Sequence, residues 1–301
     1  MVSFRILITG AEGFVGSNLI PKLSVEHEVI ALDFLTSRKK SNLPRSIPYL
    51  NEDLSCVDVP KLPKVDLIIH LAIISIERVS ESSSYEQINI TSMLKMLELA
   101  KKHKSDLILA SSGSVYGSGV NFKETSPLNP LSLYATGKIN EERYANFYHR
   151  KYGLNITILR YTNCYGDLTH IDNKVYPGKK DVMRIFMENA LADKPLPLVK
   201  GQSRDFTYIE DVVEATCSVM DLKGFNVFNV GTGVAVDIKN IPLMMKEAFG
   251  IPITVRTVPS RAIDNLQKRS LNIEKISPLW KPKYDVVKGL KLYAEKACLP
   301  R

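Results

Sequence analysis

Short apolar segments rich in β-branched residues recur in the first half of the chain, and each is too short for a typical helix. They predict buried strands at residues 5–9, 28–33, 66–71, 106–111 and 155–161. Segments with the spacing of amphipathic helices lie between them, at residues 13–23, 87–103 and 134–152. Because strand and helix alternate, we predict an α/β protein with a parallel, doubly wound sheet.

The pattern becomes less regular after Gly166, where Pro and Gly residues interrupt it at 177–178 and 195–197. A helix is then predicted near residues 208–221 and a strand at 227–230. We therefore predict a larger domain over residues 1–166, to which 205–231 return. Residues 167–204 and 232–301 are predicted to form a smaller C-terminal lobe.

The composition is that of a globular protein, with 45% hydrophobic and 24% charged residues among 301. The formal net charge of +8 favours anionic partners. Basic runs at 38–40, 101–104 and 179–180 are short and lack interleaved aromatic residues, so we predict no nucleic-acid binding. The apolar N-terminal segment reaches Gly10 too early for a signal peptide, and no segment approaches membrane-spanning length. We expect a cytoplasmic protein with no membrane partner.

Cysteine and histidine residues give no support for a disulfide framework or a metal site. The four cysteines are Cys56, Cys164, Cys217 and Cys298, with no CxxC pair among them. The five histidines form no HxxxH or HExxH pattern. We expect a reduced protein without a bound metal.

A glycine loop, Gly10-Ala11-Glu12-Gly13-Phe14-Val15-Gly16, follows the first strand and opens a helix. Glycine lets the backbone approach a pyrophosphate, and a helix N-terminus attracts anions. A tight turn without a ligand is the alternative. Asp33 closes the second strand 23 positions after Gly10, where its carboxylate could bind ribose hydroxyls and repel a 2′-phosphate. NAD is thus favoured over NADP, although Arg38-Lys39-Lys40 could offer a phosphate site.

A phenol and an ammonium group, those of Tyr134 and Lys138, lie four residues apart and so on one helix face. Tyrosine has a pKa near ~10, and a neighbouring positive charge would favour the phenolate needed for a general base. An amphipathic helix with a surface lysine is the alternative. Upstream, Ser112 lies at the end of a predicted strand, where it could bind a reacting oxygen. A serine-rich turn without a catalytic role would explain the serines at this position equally well.

In this order the motifs resemble the extended short-chain dehydrogenase/reductases, specifically the NAD-dependent epimerase/dehydratase family acting on nucleotide sugars. The resemblance covers nearly the whole chain. It rests on residues 9–16, Asp33, Asp53-Leu54, His70-Leu71-Ala72, Asn89, 111–117, 134–138, 159–166, 204–212, 228–233 and 279–282. It implies a Rossmann-type NAD-binding domain, a smaller nucleotide-sugar-binding lobe and a homodimer formed through the helices near 87–103 and 134–152.

The resemblance also implies the roles of individual residues. The implied catalytic residues are Ser112, Tyr134 and Lys138. The implied NAD-binding residues are Gly10, Gly13, Phe14, Val15, Gly16, Asp33, Asp53, Leu54, Leu71, Ala72, Asn89, Ser111, Tyr134, Lys138 and Tyr161. The implied substrate-binding residues are Ser112, Tyr134, Asn163, Arg204 and Arg261. Segment 167–180 is expected to cap the sugar.

The residues after Ser112 separate the reactions of this family. Its 4,6-dehydratases carry an Asp-Glu pair there, whereas this chain has Gly113 and Ser114. Elimination then lacks its acid and its base. The decarboxylating members of the family resemble this pattern but carry a Glu there, so decarboxylation is disfavoured too. We therefore predict an NAD-dependent nucleotide-sugar 4-epimerase, with a UDP-hexose as the expected substrate. The alternatives are a nucleotide-sugar dehydratase or 4-keto reductase, another dehydrogenase, or a non-catalytic NAD(P)-sensing regulator.

Overall fold

The computed structural model describes residues 3–34, 43–74, 82–166, 182–259 and 268–296. Within them the strands are β1 (Arg5–Thr9), β2 (Glu28–Asp33), β3 (Tyr49–Asn51), β4 (Leu67–His70), β5 (Asp106–Ser112), β6 (Gly119–Phe122), β7 (Ile156–Tyr161), β8 (Asn163–Tyr165), β9 (Leu196–Leu198), β10 (Ser203–Tyr208), β11 (Phe225–Val230), β12 (Ala235–Asp237), β13 (Val255–Thr257) and β14 (Lys268–Leu271). The α-helices are α1 (Phe14–Leu23), α2 (Ser84–His103), α3 (Leu133–Tyr152), α4 (Val182–Leu191), α5 (Ile209–Cys217), α6 (Ile241–Phe249) and α7 (Val286–Lys296).

A seven-stranded parallel sheet is the largest layer, in the order β11-β7-β5-β4-β1-β2-β3. The chain begins in the middle of this sheet and extends it in both directions, so a change of direction lies between β1 and β4. All five strands predicted from apolar segments are present, with bounds that differ by at most one residue. The α/β, Rossmann-type class is thereby confirmed.

The two faces of the large sheet have separate hydrophobic cores. Side chains alternate along β1, so that Ile6 and Ile8 pack into one core and Leu7 into the other. Helices α1 and α5 pack together on the first face, and α2 and α3 on the second. Because both faces are covered, every residue of β4 and of β7 is buried. The sheet is therefore a rigid support for the loops at its carboxyl edge.

A second sheet lies in the order β12-β10-β14-β6, with β8 paired to β10. Residues Ser203–Tyr208 form β10 of this small sheet, and α5 begins directly after it at Ile209. The polar segment Ser203–Tyr208 had predicted no strand, yet all six residues are buried. No helix in the described part of the chain is long and apolar enough to cross a membrane.

Candidate active site

The glycine loop packs too tightly for side chains at two of its glycines. Gly10 has φ +68°, and a Cβ there would lie 2.6 Å from the backbone nitrogen of Ala72. A Cβ on Gly16 would overlap the carbonyl oxygen of Gly10. Gly13 N–H donates to that same oxygen at 3.0 Å, which closes the turn. The loop therefore offers bare backbone at the carboxyl edge of β1.

Helix α1 begins directly after this loop with Gly13 at its N-cap, and no side chain of the described residues caps it. Its first turn also contains no acidic residue. The first N–H groups of a helix lack partners within the helix and carry a partial positive charge. The backbone at Phe14 and Val15 is thus placed to receive an anionic group such as a phosphate.

Asp33 lies at the end of β2, against the glycine loop. Its Oδ2 accepts a hydrogen bond from Glu12 N–H at 2.8 Å, and its Oδ1 accepts from Phe34 N–H at 2.7 Å. The carboxylate is thereby fixed beside the loop, where the sequence predicts a ribose acceptor. Arg38 and Lys39, which had left a phosphate site possible, lie outside the described residues.

Asp53 and Leu54 follow β3 on the same side of the sheet. Asp53 Oδ1 accepts from both N–H and Oγ of Ser55, at 2.8 and 2.7 Å, so that this oxygen stabilises its own turn. Leu54 is buried in the second core. Glu52 N–H donates to the carbonyl oxygen of Asp33 at 3.1 Å, so this turn lies beside Asp33.

The two residues of the Tyr/Lys motif lie in the first turns of α3. Ser132 caps this helix by accepting from Ala135 N–H at 3.1 Å, which fixes the position of Tyr134. Lys138 is only 3% exposed, and its Nζ donates to the carbonyl oxygen of Ala110 at 2.9 Å and to Glu141 Oε2 at 2.8 Å. Lys138 is therefore a buried cation, and not the surface lysine of the alternative interpretation.

The charge of Lys138 is maintained by its neighbours. Burial by itself would lower the pKa of Lys138, but Glu141, Tyr134 and Glu86 raise it by more, so that the net pKa lies above its usual value. The same cation acts on His70. Burial and the charge of Lys138 lower the pKa of His70 to about 3, so this imidazole is neutral. It forms a hydrogen bond of 2.7 Å with Thr9 Oγ1.

Ser112 is brought close to Lys138 by β5. It is the last residue of that strand, and Lys138 is bonded to the carbonyl of Ala110, two residues earlier. The Ser112 Oγ accepts from Ser114 N–H at 3.1 Å and so starts the short 3-10 helix Gly113–Tyr116. Ser112, Tyr134 and Lys138 are thus assembled at the carboxyl edge of the sheet that also carries the glycine loop.

Several predicted NAD-binding residues have side chains that bond within the protein. Asn89 Oδ1 accepts from Ile74 N–H at 2.8 Å and so fixes the loop after Leu71 and Ala72. Ser111 Oγ donates to Glu142 at 2.5 Å, and the Tyr161 hydroxyl forms a 2.8 Å hydrogen bond with Thr216. The side chains of Ser111 and Tyr161 are directed into the interior, so only their backbone is placed to contact a ligand.

The predicted substrate-binding residues lie on the small sheet. Asn163, in β8, donates from Nδ2 to the carbonyl oxygen of Asp205 at 3.0 Å. Arg204, in β10, is buried and donates to the carbonyl oxygen of Ser203 and to Gln202 Oε1, each at 3.0 Å. Arg261 lies outside the described residues, as does segment 167–180. The described residues contain no cluster of His, Cys, Asp or Glu suited to a metal ion.

Three charged residues around the Tyr/Lys pair were not predicted from the sequence. Glu141 and Glu86 surround Lys138, and burial raises the pKa of both carboxyls. Glu86 packs so closely that a Cβ on Gly137 would overlap its Oε1. Arg269, in β14, is buried beside Arg204. The i to i+3 spacing of Lys138 and Glu141 was the one signal available in the sequence.

The amino-acid sequence is similar over nearly its whole length to enzymes whose family is known. A family model for the NAD dependent epimerase/dehydratase family matches residues 6–231. A putative UDP-glucose 4-epimerase from Methanocaldococcus jannaschii is 32% identical over 301 residues, covering 95% of this chain and 96% of the relative. UDP-glucuronic acid decarboxylase 6 from Arabidopsis thaliana is 30% identical over 310 residues, covering 97% of this chain and 88% of the relative.

A solved structure shows the same fold. UDP-glucose 4-epimerase from Thermus thermophilus, in complex with NAD, is 30% identical and has a TM-score of 0.85. The similarity covers 97% of this chain and 98% of that one. The resemblance seen in the motifs and the prediction of NAD as cofactor are confirmed by these matches. The chain belongs to the NAD-dependent epimerase/dehydratase family.

Proposed function

We propose that the protein is an NAD-dependent 4-epimerase of nucleotide-linked hexoses, with UDP as the expected nucleotide. One observation carries this proposal: Lys138 is held at the end of β5 beside Tyr134 and Ser112, and no acidic residue follows Ser112. The site thus has the groups for proton removal from a hydroxyl, but not those for elimination.

The described residues fit NAD. Side chains would obstruct the backbone at Gly10 and Gly16, helix α1 has an uncapped N-terminus for the pyrophosphate, and Asp33 supplies a fixed carboxylate for the ribose. When bound, NAD supplies a nicotinamide that takes up a hydride and gives it back. We propose that Lys138 contacts the nicotinamide ribose as well as supporting Tyr134.

The residues of the chain handle the proton and the orientation of the sugar. Tyr134 removes the proton of the 4-hydroxyl while Ser112 Oγ donates a hydrogen bond to the same oxygen, and with the C4 hydride taken up by bound NAD a 4-keto sugar would result. The positive charge of Lys138 interacts with Tyr134, one helical turn away. Once the keto sugar has rotated in the site so that its other face would receive the hydride, Tyr134 gives the proton back to the C4 oxygen. Substrate and product have the same atoms, so the cofactor ends as it began.

The packing at Gly113 argues against elimination. A Cβ at this position would lie 3.3 Å from Leu271 Cδ1 and 3.6 Å from Arg269 Cδ. Residues of β14 therefore pack directly against this position, and Leu271 would have to shift slightly to admit any side chain there. The next residue, Ser114, is itself buried. This arrangement supports an isomerase over a dehydratase.

The small sheet is proposed to hold the nucleotide end of the substrate. Arg204 carries a buried positive charge suited to a diphosphate, and Asn163 lies in the neighbouring strand. The names of the relatives support a UDP-sugar. The loss of Arg204 is expected to raise KM more than it lowers kcat, because the diphosphate is bound equally in ground and transition states.

We also propose that the protein is a homodimer formed through α2 and α3. Phe147, on α3, is 52% exposed, and Tyr152 is exposed just over one turn further on. Large aromatic side chains exposed together are typical of an interface. Phe147→Glu is expected to convert the dimer into a monomer, as measured by light scattering coupled to size-exclusion chromatography. A wild-type protein that is monomeric at all concentrations would contradict this proposal.

The test of the proposed function is direct. Purified protein is incubated with UDP-glucose, UDP-galactose and the corresponding dTDP-, GDP- and CDP-hexoses, and proton NMR follows inversion at C4. Tyr134→Phe is expected to lose activity, whereas Tyr293→Phe, a matched change on α7, away from α2 and α3, is expected to keep it. Net release of NADH during turnover, or no C4 inversion of any sugar, would contradict the proposal.

A further inference from the structure

Arg269 is a buried cation without a carboxylate partner among the described residues. The residue is only 5% exposed. Its Nε donates to the carbonyl oxygen of Gly117 at 3.3 Å, a long hydrogen bond, while Nη2 is enclosed and has no partner in the described part of the chain. Enclosing an unpaired charge destabilises a protein, so such a group indicates a missing anion.

The surroundings of Arg269 add positive charge. Arg269 and Arg204 are partners in the register of β14 and β10, so they lie side by side. Burial and the charge of Arg204 lower the pKa of Arg269 to about 9, and the guanidinium is still protonated at neutral pH. An anion at this place would offset both the burial and the repulsion between the two arginines.

The position of Arg269 points to the sugar end of the substrate. Its Cδ lies 3.6 Å from the Cβ position of Gly113, the residue after Ser112, and its charge interacts with Tyr134. Ser114 Oγ, on the other side of Gly113 in the chain, is also buried without a hydrogen-bond partner in the described structure. Two polar groups without partners therefore border the segment next to the proposed reacting carbon.

We propose that Arg269 binds a carboxylate on the sugar, and that the substrate is a nucleotide-linked hexuronic acid. This inference rests on the proposed 4-epimerase function. The anion could in principle be the diphosphate of the nucleotide, but Arg269 packs on Gly113, beside Ser112 and Tyr134, where the reacting sugar lies. A guanidinium binds a planar carboxylate with two parallel hydrogen bonds, which fits a group with free donors.

The same contact explains how the carboxylate is retained. Oxidation at C4 places a ketone β to the C6 carboxylate, and loss of CO₂ would break the C5–C6 bond and leave its electron pair at C5. An ion pair with Arg269 stabilises the charge on the carboxylate and so opposes that shift. Gly113 and Ser114 offer no acid to protonate C5. The hydride would then return to C4 and the proton to the C4 oxygen, and the product is the C4 epimer with all its atoms.

The experiment compares UDP-glucuronic acid with UDP-glucose. Wild-type protein is expected to epimerise UDP-glucuronic acid with a kcat/KM about 100-fold higher than for UDP-glucose, because only the uronate compensates the buried charge. In Arg269→Gln, kcat/KM is expected to fall about 100-fold for UDP-glucuronic acid and less than about 3-fold for UDP-glucose. Lys268→Gln, an exposed neighbour in the same strand, is the matched control and is expected to leave both unchanged.

Each contrary outcome has its own meaning. If Arg269→Gln lowers kcat/KM equally for both sugars and also lowers the affinity for UDP, Arg269 binds the diphosphate and the inference is overturned. Formation of a UDP-pentose with release of CO₂ would overturn retention of the carboxylate. If Arg269→Gln does not fold, competition in the wild type decides: UDP-glucuronic acid that fails to inhibit turnover of UDP-glucose overturns the inference.

The failure of this inference can be separated from a failure of the proposed function. Epimerisation of UDP-glucose without any preference for the uronate contradicts only the role of Arg269. Absence of C4 inversion for every sugar contradicts the proposed function. In that case calorimetry of UDP-glucuronic acid binding to wild type and Arg269→Gln still decides whether Arg269 binds the carboxylate.

Discussion

Lys138 Nζ lies 2.8 Å from Glu141 Oε2, and both side chains are almost completely buried. Tyr134 lies one helical turn before Lys138, so the ammonium lies between a carboxylate and the phenol that it is proposed to support. Burying such a pair is costly, and a short contact is needed to offset it. Glu141 is therefore a positioning residue that holds the charge of Lys138 in place.

Replacement of Glu141 by Gln is expected to shift the alkaline limb of the kcat profile to lower pH. Glu141 raises the pKa of Lys138, so without it the ammonium loses its proton at a lower pH. The loss of one opposite charge at this distance sets the direction of the shift. The pH dependence of kcat, followed from neutral to strongly alkaline pH, measures it.

Glu52→Gln, a change at an exposed carboxylate, provides the control for Glu141. Its kcat profile should overlay that of the wild type. A merely structural role of Glu141 would lower the melting temperature but leave the position of the alkaline limb unchanged, which would contradict the positioning role.

Gly16→Ala is expected to release NAD from the purified protein. Its Cβ would overlap the Gly10 carbonyl oxygen, and backbone cannot move aside as a side chain can. We expect a destabilisation of about 1–3 kcal/mol from this overpacking. NAD released by denaturation is quantified by absorbance. Gly250→Ala is the control for destabilisation: no atom lies within 4 Å of the new Cβ, but its φ of +67° strains the alanine backbone outside the glycine loop, so it should destabilise the protein and still retain NAD. Full retention of NAD in Gly16→Ala would be the contrary result.

Glu142→Gln is expected to lower the free energy of unfolding by about 3 kcal/mol, because it breaks a buried ion pair. The carboxylate accepts from Arg160 Nη2 at 2.6 Å and from Nε at 2.9 Å, and from Ser111 Oγ as well. Urea denaturation measures the change. Asp58→Asn, in the exposed pair with Lys61, should leave the midpoint unchanged. If Glu142→Gln changes the urea midpoint as little as Asp58→Asn does, Arg160 finds another partner.

Ser112→Ala is expected to lower kcat by about 100-fold, since it removes one hydrogen bond to the reacting oxygen. Ser112→Thr should keep most of the activity, because the hydroxyl that accepts from Ser114 N–H is preserved. Steady-state rates with UDP-sugars measure both variants. Equal losses in the two variants would indicate that the shape of the 3-10 helix matters and the hydroxyl does not.

Much of the large sheet could be predicted because its strands are mostly apolar. Segments such as Ile156–Tyr161 are buried on both faces, so apolar residues follow one another along them, although Thr157 and Arg160 interrupt the pattern. The glycine loop and the pair of Tyr134 and Lys138 were recognisable from their order along the chain. The tertiary packing that makes Lys138 a buried cation was not visible in its sequence spacing.

The small sheet could not be predicted because its buried strands are polar. Ser203–Tyr208 and Lys268–Leu271 contain charged residues that are typical of surface loops, yet most of them are enclosed. Asp205, for example, accepts hydrogen bonds from Thr232 N–H, Gly233 N–H and Leu271 N–H. A hydropathy pattern does not register such compensation. Arg269 was missed for the same reason.

The contact between Gly113 and Leu271 also bears on how this chain could have diverged from relatives with other reactions. A Cβ at position 113 would lie 3.3 Å from Leu271 Cδ1, so Leu271 would have to shift by a few tenths of an ångström to admit any side chain there. Positions 113 and 271 therefore constrain each other, and the residue at 271 influences which side chains position 113 could acquire.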